Sequence, residues 1–140
     1  SKLGRPMPTG YSGTPLAKKL GLKEGGALWA KGMPASVRAE IEENACPRYL
    51  ARPSAGLAAA HVFHTSAAKL EADLKKLREL LASDGMIWVS WPKKAAKLGT
   101  DINEDTIRTI ALPLGFVDVK VCAVDATWSG LKLVIRKALR

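Results

Sequence analysis

Hydrophobic positions along this chain follow two alternating rhythms. From Leu57 to His64 the apolar run is nearly continuous, as expected of a strand covered on both faces in a parallel sheet. Ala27-Leu28-Trp29-Ala30 and Met86-Ile87-Trp88-Val89 are shorter runs of the same type, the latter ended by Trp91-Pro92. Between these runs the spacing lengthens to that of helices. Val37, Ile41 and Ala45 recur every four residues behind Pro34 and Ser36, which predicts a helix over residues 35 to 45. Ser66 caps the clearest helix: Leu70, Leu74, Leu77 and Leu81 form its stripe, Glu71 and Lys75 pair across one turn, and Asp84-Gly85 stops it. Asn103 caps another, with Glu104 and Asp105 complementing its positive end. Ile107, Ile110, Ala111 and Leu114 face inward there, and Pro113 terminates it.

The two ends of the chain read differently. Residues 1–13 carry prolines and glycines in the pattern of a loosely held arm. Thr14 then caps a short helix with Pro15 at its first position, Leu16 and Leu20 inward, and Gly21 beyond its end. In the last third the period falls to two. Val117, Val119, Val121 and Ala123 alternate with Asp118, Lys120 and Cys122, and Leu131, Leu133 and Ile135 with Lys132, Val134 and Arg136. These predict two half-buried strands forming a hairpin at a sheet edge. Residues 47 to 56 read as a loop, with at most a very short strand around Tyr49 to Ala51.

Strands separated by helices imply right-handed parallel crossovers. The predicted fold is therefore α/β: a small, mostly parallel sheet flanked by helices, closed by a C-terminal antiparallel hairpin, a truncated Rossmann-like arrangement. Residues 14–140 are expected to form one domain.

Composition narrows the class of protein. Hydrophobic residues at 47% and charged residues at 25% match a globular chain, not a disordered one. No apolar stretch is long enough to cross a bilayer and the start lacks a secretory core, so a cytoplasmic location and no membrane partner are expected. Cys46 and Cys122 are the two cysteines, too few for a disulfide framework and without CxxC spacing, and reduced, partly buried thiols are the plain reading. The net charge of +9 points to an anionic partner, whether a small anionic or nucleotide-like ligand or nucleic acid. Yet Lys18/Lys19, Lys75/Lys76 and Lys93/Lys94 are pairs, with no longer run and no interleaved aromatics, so most of that charge reads as solvated surface.

The segments Leu81 to Trp91 (LASDGMIWVSW) and Phe116 to Leu133 (FVDVKVCAVDATWSGLKL) resemble the second half of class I methyltransferases, where a strand, a helix and a terminal hairpin close the sheet. GYSGTPLAKKLGL near the start, Trp91 to Lys94 (WPKK) and Val124 to Lys132 (VDATWSGLK) resemble the bacterial domain-of-unknown-function family 3052 along nearly the whole chain. The second likeness implies relatives and no activity. The first implies a methyl donor, S-adenosylmethionine, only where its motifs are present: a Gly-rich loop after the first strand and an acidic residue after the second. Here the first loop is Lys31-Gly32-Met33-Pro34-Ala35-Ser36, with one glycine, a proline and no acid. The expected second and third strands are compressed into residues 46 to 56.

Parallel strands bring their carboxyl-end loops to one edge, where open α/β sheets bind ligands. The loops are Lys31 to Pro34, His64 to Ser66, Trp91 to Lys94 and Asp125 to Ser129. The expected ligand-binding residues are Trp91, Lys93, Lys94, His64, Asp125, Thr127, Trp128 and Ser129. Trp91 offers a stacking face and the two lysines offer charge for a phosphate. The competing reading packs Trp91 over the sheet end and leaves both lysines in solvent. His61 and His64, three apart in a strand, face opposite ways, which argues against one shared metal, while His64 could pair with Cys122 or Asp125 as a base or ligand set. Neither a catalytic set nor a metal nor a resident cofactor is expected. The leading expectation is a non-catalytic small-ligand-binding or regulatory domain with an anion or nucleotide-like site; the alternatives are a degenerate methyltransferase-like enzyme and a nucleic-acid-binding protein.

Overall fold

A computed structural model describes residues 13–140. Of the arm expected over residues 1–13, all but Gly13 lies outside the described residues. Helices α1 (Leu16–Lys19), α2 (Ala35–Glu42), α3 (Ala67–Leu80) and α4 (Glu104–Ala111) alternate with strands β1 (Ala27–Lys31), β2 (Arg48–Tyr49), β3 (Leu57–Phe63), β4 (Leu81–Pro92), β5 (Phe116–Ala123) and β6 (Trp128–Ile135). The strands form one sheet in the order β2-β1-β3-β4-β6-β5. Pairing is parallel from β2 through β4, and β6 alone runs against its neighbours. The α/β class, the mostly parallel sheet and the terminal antiparallel hairpin are all present.

The central strands bury side chains on both faces, which is why their sequences are apolar without alternation. On one face α1 and α2 set Leu16, Leu20, Val37 and Ile41 against Leu28, Ala59, Phe63 and Trp88. On the other, α3 and α4 set Leu70, Leu74, Leu77 and Ile107 against Val62, Ile87, Val89, Trp91, Leu131 and Leu133. Each such side chain, fully buried, contributes roughly 1.5–3 kcal/mol. The Trp88 indole also donates from Nε1 to Leu20 O at 2.8 Å, tying the end of α1 to the sheet.

Several local expectations are corrected. Pro15, not Thr14, occupies the position before α1, and it makes no side-chain cap. Helix α2 stops at Glu42, short of Ala45. The short strand is Arg48–Tyr49. The stripe of α3 ends at Leu77: Leu81 has left the helix, is extended, and pairs with Leu57. The register then shifts before Ala59 meets Met86, and Gly85 occupies the irregular stretch. A Cβ there would lie 2.9 Å from the Leu57 carbonyl oxygen, so only glycine lets the strands approach.

The hairpin departs from its predicted symmetry. Strand β6 lies inside the sheet between β4 and β5, and Gly130, Leu131, Leu133 and Ile135 are buried. Strand β5 is the edge. A register shift between Asp118 and Lys120 breaks its alternation, so Val119 and Val121 are 53% and 46% exposed. Cys46 is exposed and Cys122 half-buried, both free, which corrects the expectation of two partly buried thiols.

Candidate functional site

The chain leaves β1 through α2 toward β2, and leaves β3 through α3 toward β4. Strand order therefore reverses between β1 and β3, and the edge beyond their carboxyl ends is where open α/β sheets hold ligands. The loop after β1 and the turn after β3 flank it. Gly32, at φ +71°, allows the first loop to pass close to the end of β3, since a Cβ there would stand 3.1 Å from Phe63 O.

Three polar side chains meet at this edge. Strand alternation sends Trp29 and Lys31 toward the α3 face, where Trp29 packs on the core. Lys31 Nζ lies 2.9 Å from Asp73 Oδ1, and His64 Nε2 lies 2.6 Å from Asp73 Oδ2. Asp73, on α3, thus joins the end of β1 to the turn after β3. His64 is 8% exposed and is held by its own backbone, whose N–H donates to Ser90 O at 3.0 Å. The turn behind it is pinned from the far side. Thr100 Oγ1 and the Asp101 N–H both donate to Thr65 O, and Asp101 Oδ1 accepts from the Ala67 N–H, occupying the start of α3.

The expected edge residues are brought to one end, as parallel strands require. Pro92 pairs with Trp128 and Trp91 with Ser129, and the Lys93 N–H donates to Thr127 O at 2.8 Å. Two of them do not join a shared stacking surface. Trp91 is buried in the core on the α3/α4 face, and Trp128 belongs to the α1/α2 face, where its ring meets Phe63 edge-on at 5.2 Å. Trp91 is therefore a packing residue. Lys94 is exposed and Lys93 partly so. Asp125 closes its own turn, Oδ1 accepting from the Thr127 and Trp128 N–H groups at 2.8 and 2.7 Å. His64 pairs with neither Cys122 nor Asp125; its partner is Asp73, because the α3 face is the one it occupies.

Two chemical features went unread in the sequence. Asp73 carries no local signal that places it between Lys31, whose loop lies at the predicted edge, and His64. Ser90 carries none either: its hydroxyl meets His61 Nε2 at 2.7 Å, both residues fully buried on the α1/α2 face. Burial alone holds the His61 imidazole down to about 3, and its Nδ1 has no partner. On the same face, burial raises Glu40, with the Asp125 and Glu43 carboxylates adding to the effect and Lys19 opposing it. Burial likewise raises the Cys122 thiol, against Lys19, Lys120 and Lys93. Among the described residues no group of three or more His, Cys, Asp or Glu side chains is placed to hold a metal ion.

This sheet order, with its reversal point and its single antiparallel strand, is a methyltransferase-like α/β fold of reduced size. No protein-family model matches the chain. No curated protein matches it either. Among solved structures the chain is similar to a SAM-dependent methyltransferase from Aquifex aeolicus, with 14% identity, 86% of this chain and 87% of that one covered, and a TM-score of 0.58. It is similar to a TehB-like SAM-dependent methyltransferase from Corynebacterium glutamicum, with 7% identity, 91% of each chain covered and a TM-score of 0.53. It is also similar to PigF, solved with SAH, with 9% identity, 79% of this chain and 56% of that one covered, and a TM-score of 0.57. At these identities the likeness is one of fold.

The residues at the edge do not fit the adenosyl cofactor of that fold. Its ribose calls for a carboxylate beyond the strand next to β1. Beyond β2 stand Leu50, Ala51 and Arg52. The loop after β1 offers a single glycine and then Pro34, which has no N–H to donate.

Among the described residues no helix is long and apolar enough to cross a membrane.

Proposed function

We propose that this chain binds a small, anionic, nucleotide-like ligand at the carboxyl edge of its methyltransferase-like sheet. The observation that carries this reading is the meeting of Lys31 and His64 over Asp73 beside the strand-order reversal. Lys31 has a side chain 47% exposed, and its ammonium keeps two N–H donors beyond the one on Asp73 that can meet a phosphate oxygen; Lys93 and Lys94 stand on the same edge. The half-buried Trp128 offers an aromatic face on the side away from Asp73. The neighbours in fold include proteins solved with SAH or SAM, ligands that are themselves nucleotide-like. The role is regulatory or ligand-sensing.

Isothermal titration with AMP, ADP and ATP tests the reading, with Lys31→Ala and Lys93→Ala as variants. Phosphate-dependent heat that weakens in Lys31→Ala is expected. Absence of heat with all three nucleotides, or heat indifferent to both substitutions, overturns it.

A second reading, a reduced S-adenosylmethionine-dependent methyltransferase, is favoured by one observation: the chain's likeness to methyltransferases across most of its length. It predicts a thermal shift with S-adenosylmethionine or S-adenosylhomocysteine, and with neither AMP nor ADP. The missing carboxylate beyond β2 and the cation at Lys31 weigh against it. The resemblance to family 3052 is compatible with either reading.

A further inference from the structure

We infer that His64 and Asp73 form a proton-accepting dyad aimed at the ligand edge, so that the site can take a proton from its ligand as well as bind it. The inference rests on the proposed use of this edge for a ligand; its test requires none. His64 Nε2 is 2.6 Å from Asp73 Oδ2, and a carboxylate can only accept there, so the imidazole proton sits on Nε2. In the neutral ring that leaves a lone pair on Nδ1. Among the described residues Nδ1 makes no hydrogen bond, and it is not one of the sealed, unpartnered atoms, which are Tyr49 Oη and His61 Nδ1. The ring position is fixed at both ends: the backbone by Ser90 O, the side chain by Asp73.

Lys31 completes the device. By bonding Oδ1 it fixes which carboxylate oxygen faces the histidine. When a hydroxyl or ammonium group of a ligand gives its proton to Nδ1, the electron pair of the broken O–H or N–H bond stays on the ligand heteroatom. The resulting imidazolium is then held by the Asp73 carboxylate. His64 is the group that takes the proton, and Asp73 is a positioning residue.

The chain has two histidines, and the other, His61, is fully buried, so histidine-directed chemistry reads His64 alone. Diethyl pyrocarbonate acylates an unprotonated, reachable imidazole nitrogen. One histidine per native chain is expected to react, and none in His64→Gln. Asp73→Asn is the informative variant. With Lys31 still on Oδ1, the amide NH2 faces His64 and donates to Nε2, which moves the ring proton to Nδ1 and removes the outward lone pair. The acylation rate should then fall about tenfold or more, and the ring 15N shifts should exchange their protonated and unprotonated positions.

The inference is overturned if no histidine reacts in the native chain. It is equally overturned if Asp73→Asn, with an unchanged circular dichroism spectrum, reacts as fast as the parent and keeps its tautomer. Protection of His64 by saturating AMP bears on the ligand reading alone. A reactive, Asp73-dependent His64 that AMP fails to protect would sink that reading and leave the dyad standing.

Discussion

Trp91 and Trp128 stand at the same end of adjacent strands yet on opposite faces of the sheet. In the antiparallel register Trp91 faces Ser129 and Pro92 faces Trp128, so the two indoles fall one residue out of phase. Trp91 enters the core with Val89 and Leu131, while Trp128 meets Phe63. The two rings cannot clamp one ligand between them. Removal of Trp91 is accordingly a stability effect: Trp91→Ala should lower unfolding free energy by about 3–5 kcal/mol. Urea denaturation measures that loss, and nucleotide titration of the folded protein should show affinity close to the parent's.

The buried His61–Ser90 pair makes stability fall on the acid side of neutrality. Burial holds folded His61 at about 3, whereas the unfolded imidazole has the ordinary 6.5, so between these values the unfolded chain binds more protons. This group imposes no penalty above 6.5. As the pH drops from 6.5 toward 3 it costs up to about 1.4 kcal/mol per pH unit. Replacing the pair together, His61→Phe with Ser90→Ala, removes the titrating group without orphaning its partner. Denaturation at about pH 7 and about pH 5 should show a drop in the parent roughly 2 kcal/mol larger than in the double variant. Equal drops would refute the assignment.

Gly32 sets how closely the first loop passes the end of β3. Its φ of +71° and the 3.1 Å from a would-be Cβ to Phe63 O both oppose a side chain. Gly32→Ala should cost about 1–3 kcal/mol and weaken nucleotide binding, since the loop carrying Lys31 must shift. A thermal melt with a parallel titration distinguishes this from a silent substitution.

Asn103 caps α4 with both halves of a capping box: its Oδ1 accepts from the Thr106 N–H at 2.8 Å, and its own N–H donates to Thr106 Oγ1 at 3.3 Å. Asn103→Ala should cost about 1 kcal/mol without altering ligand binding. The same denaturation and titration assays check both halves of that statement.

The two thiols should differ in reactivity. Cys46 is exposed, while burial raises the Cys122 thiol and shields it. Ellman's reagent should therefore titrate one thiol quickly and the other slowly, and Cys46→Ser should abolish the fast phase.

What the amino-acid order by itself determined is the succession of elements and their class. Local patterns carry that information: the unbroken apolar run of β3, the four-residue spacing of Leu70, Leu74 and Leu77, and the caps at Ser66 and Asn103. They also place the carboxyl-end loops together, because parallel strands leave no other arrangement. Which residues meet at that edge was decided elsewhere. Leu81 reads as one more turn of stripe, but pairing with Leu57 pulls it from the helix. Val119 and Val121 read as inward, but a shift in register turns the edge strand. Lys31, His64 and Asp73 are separated by 33 and 9 residues along the chain, as 64 − 31 and 73 − 64 show. No local spacing marks them as partners. Only the packing of α3 across the ends of β1 and β3 sets one carboxylate between a lysine and a histidine, because strand alternation and helix phase must agree in three dimensions before such charges can meet.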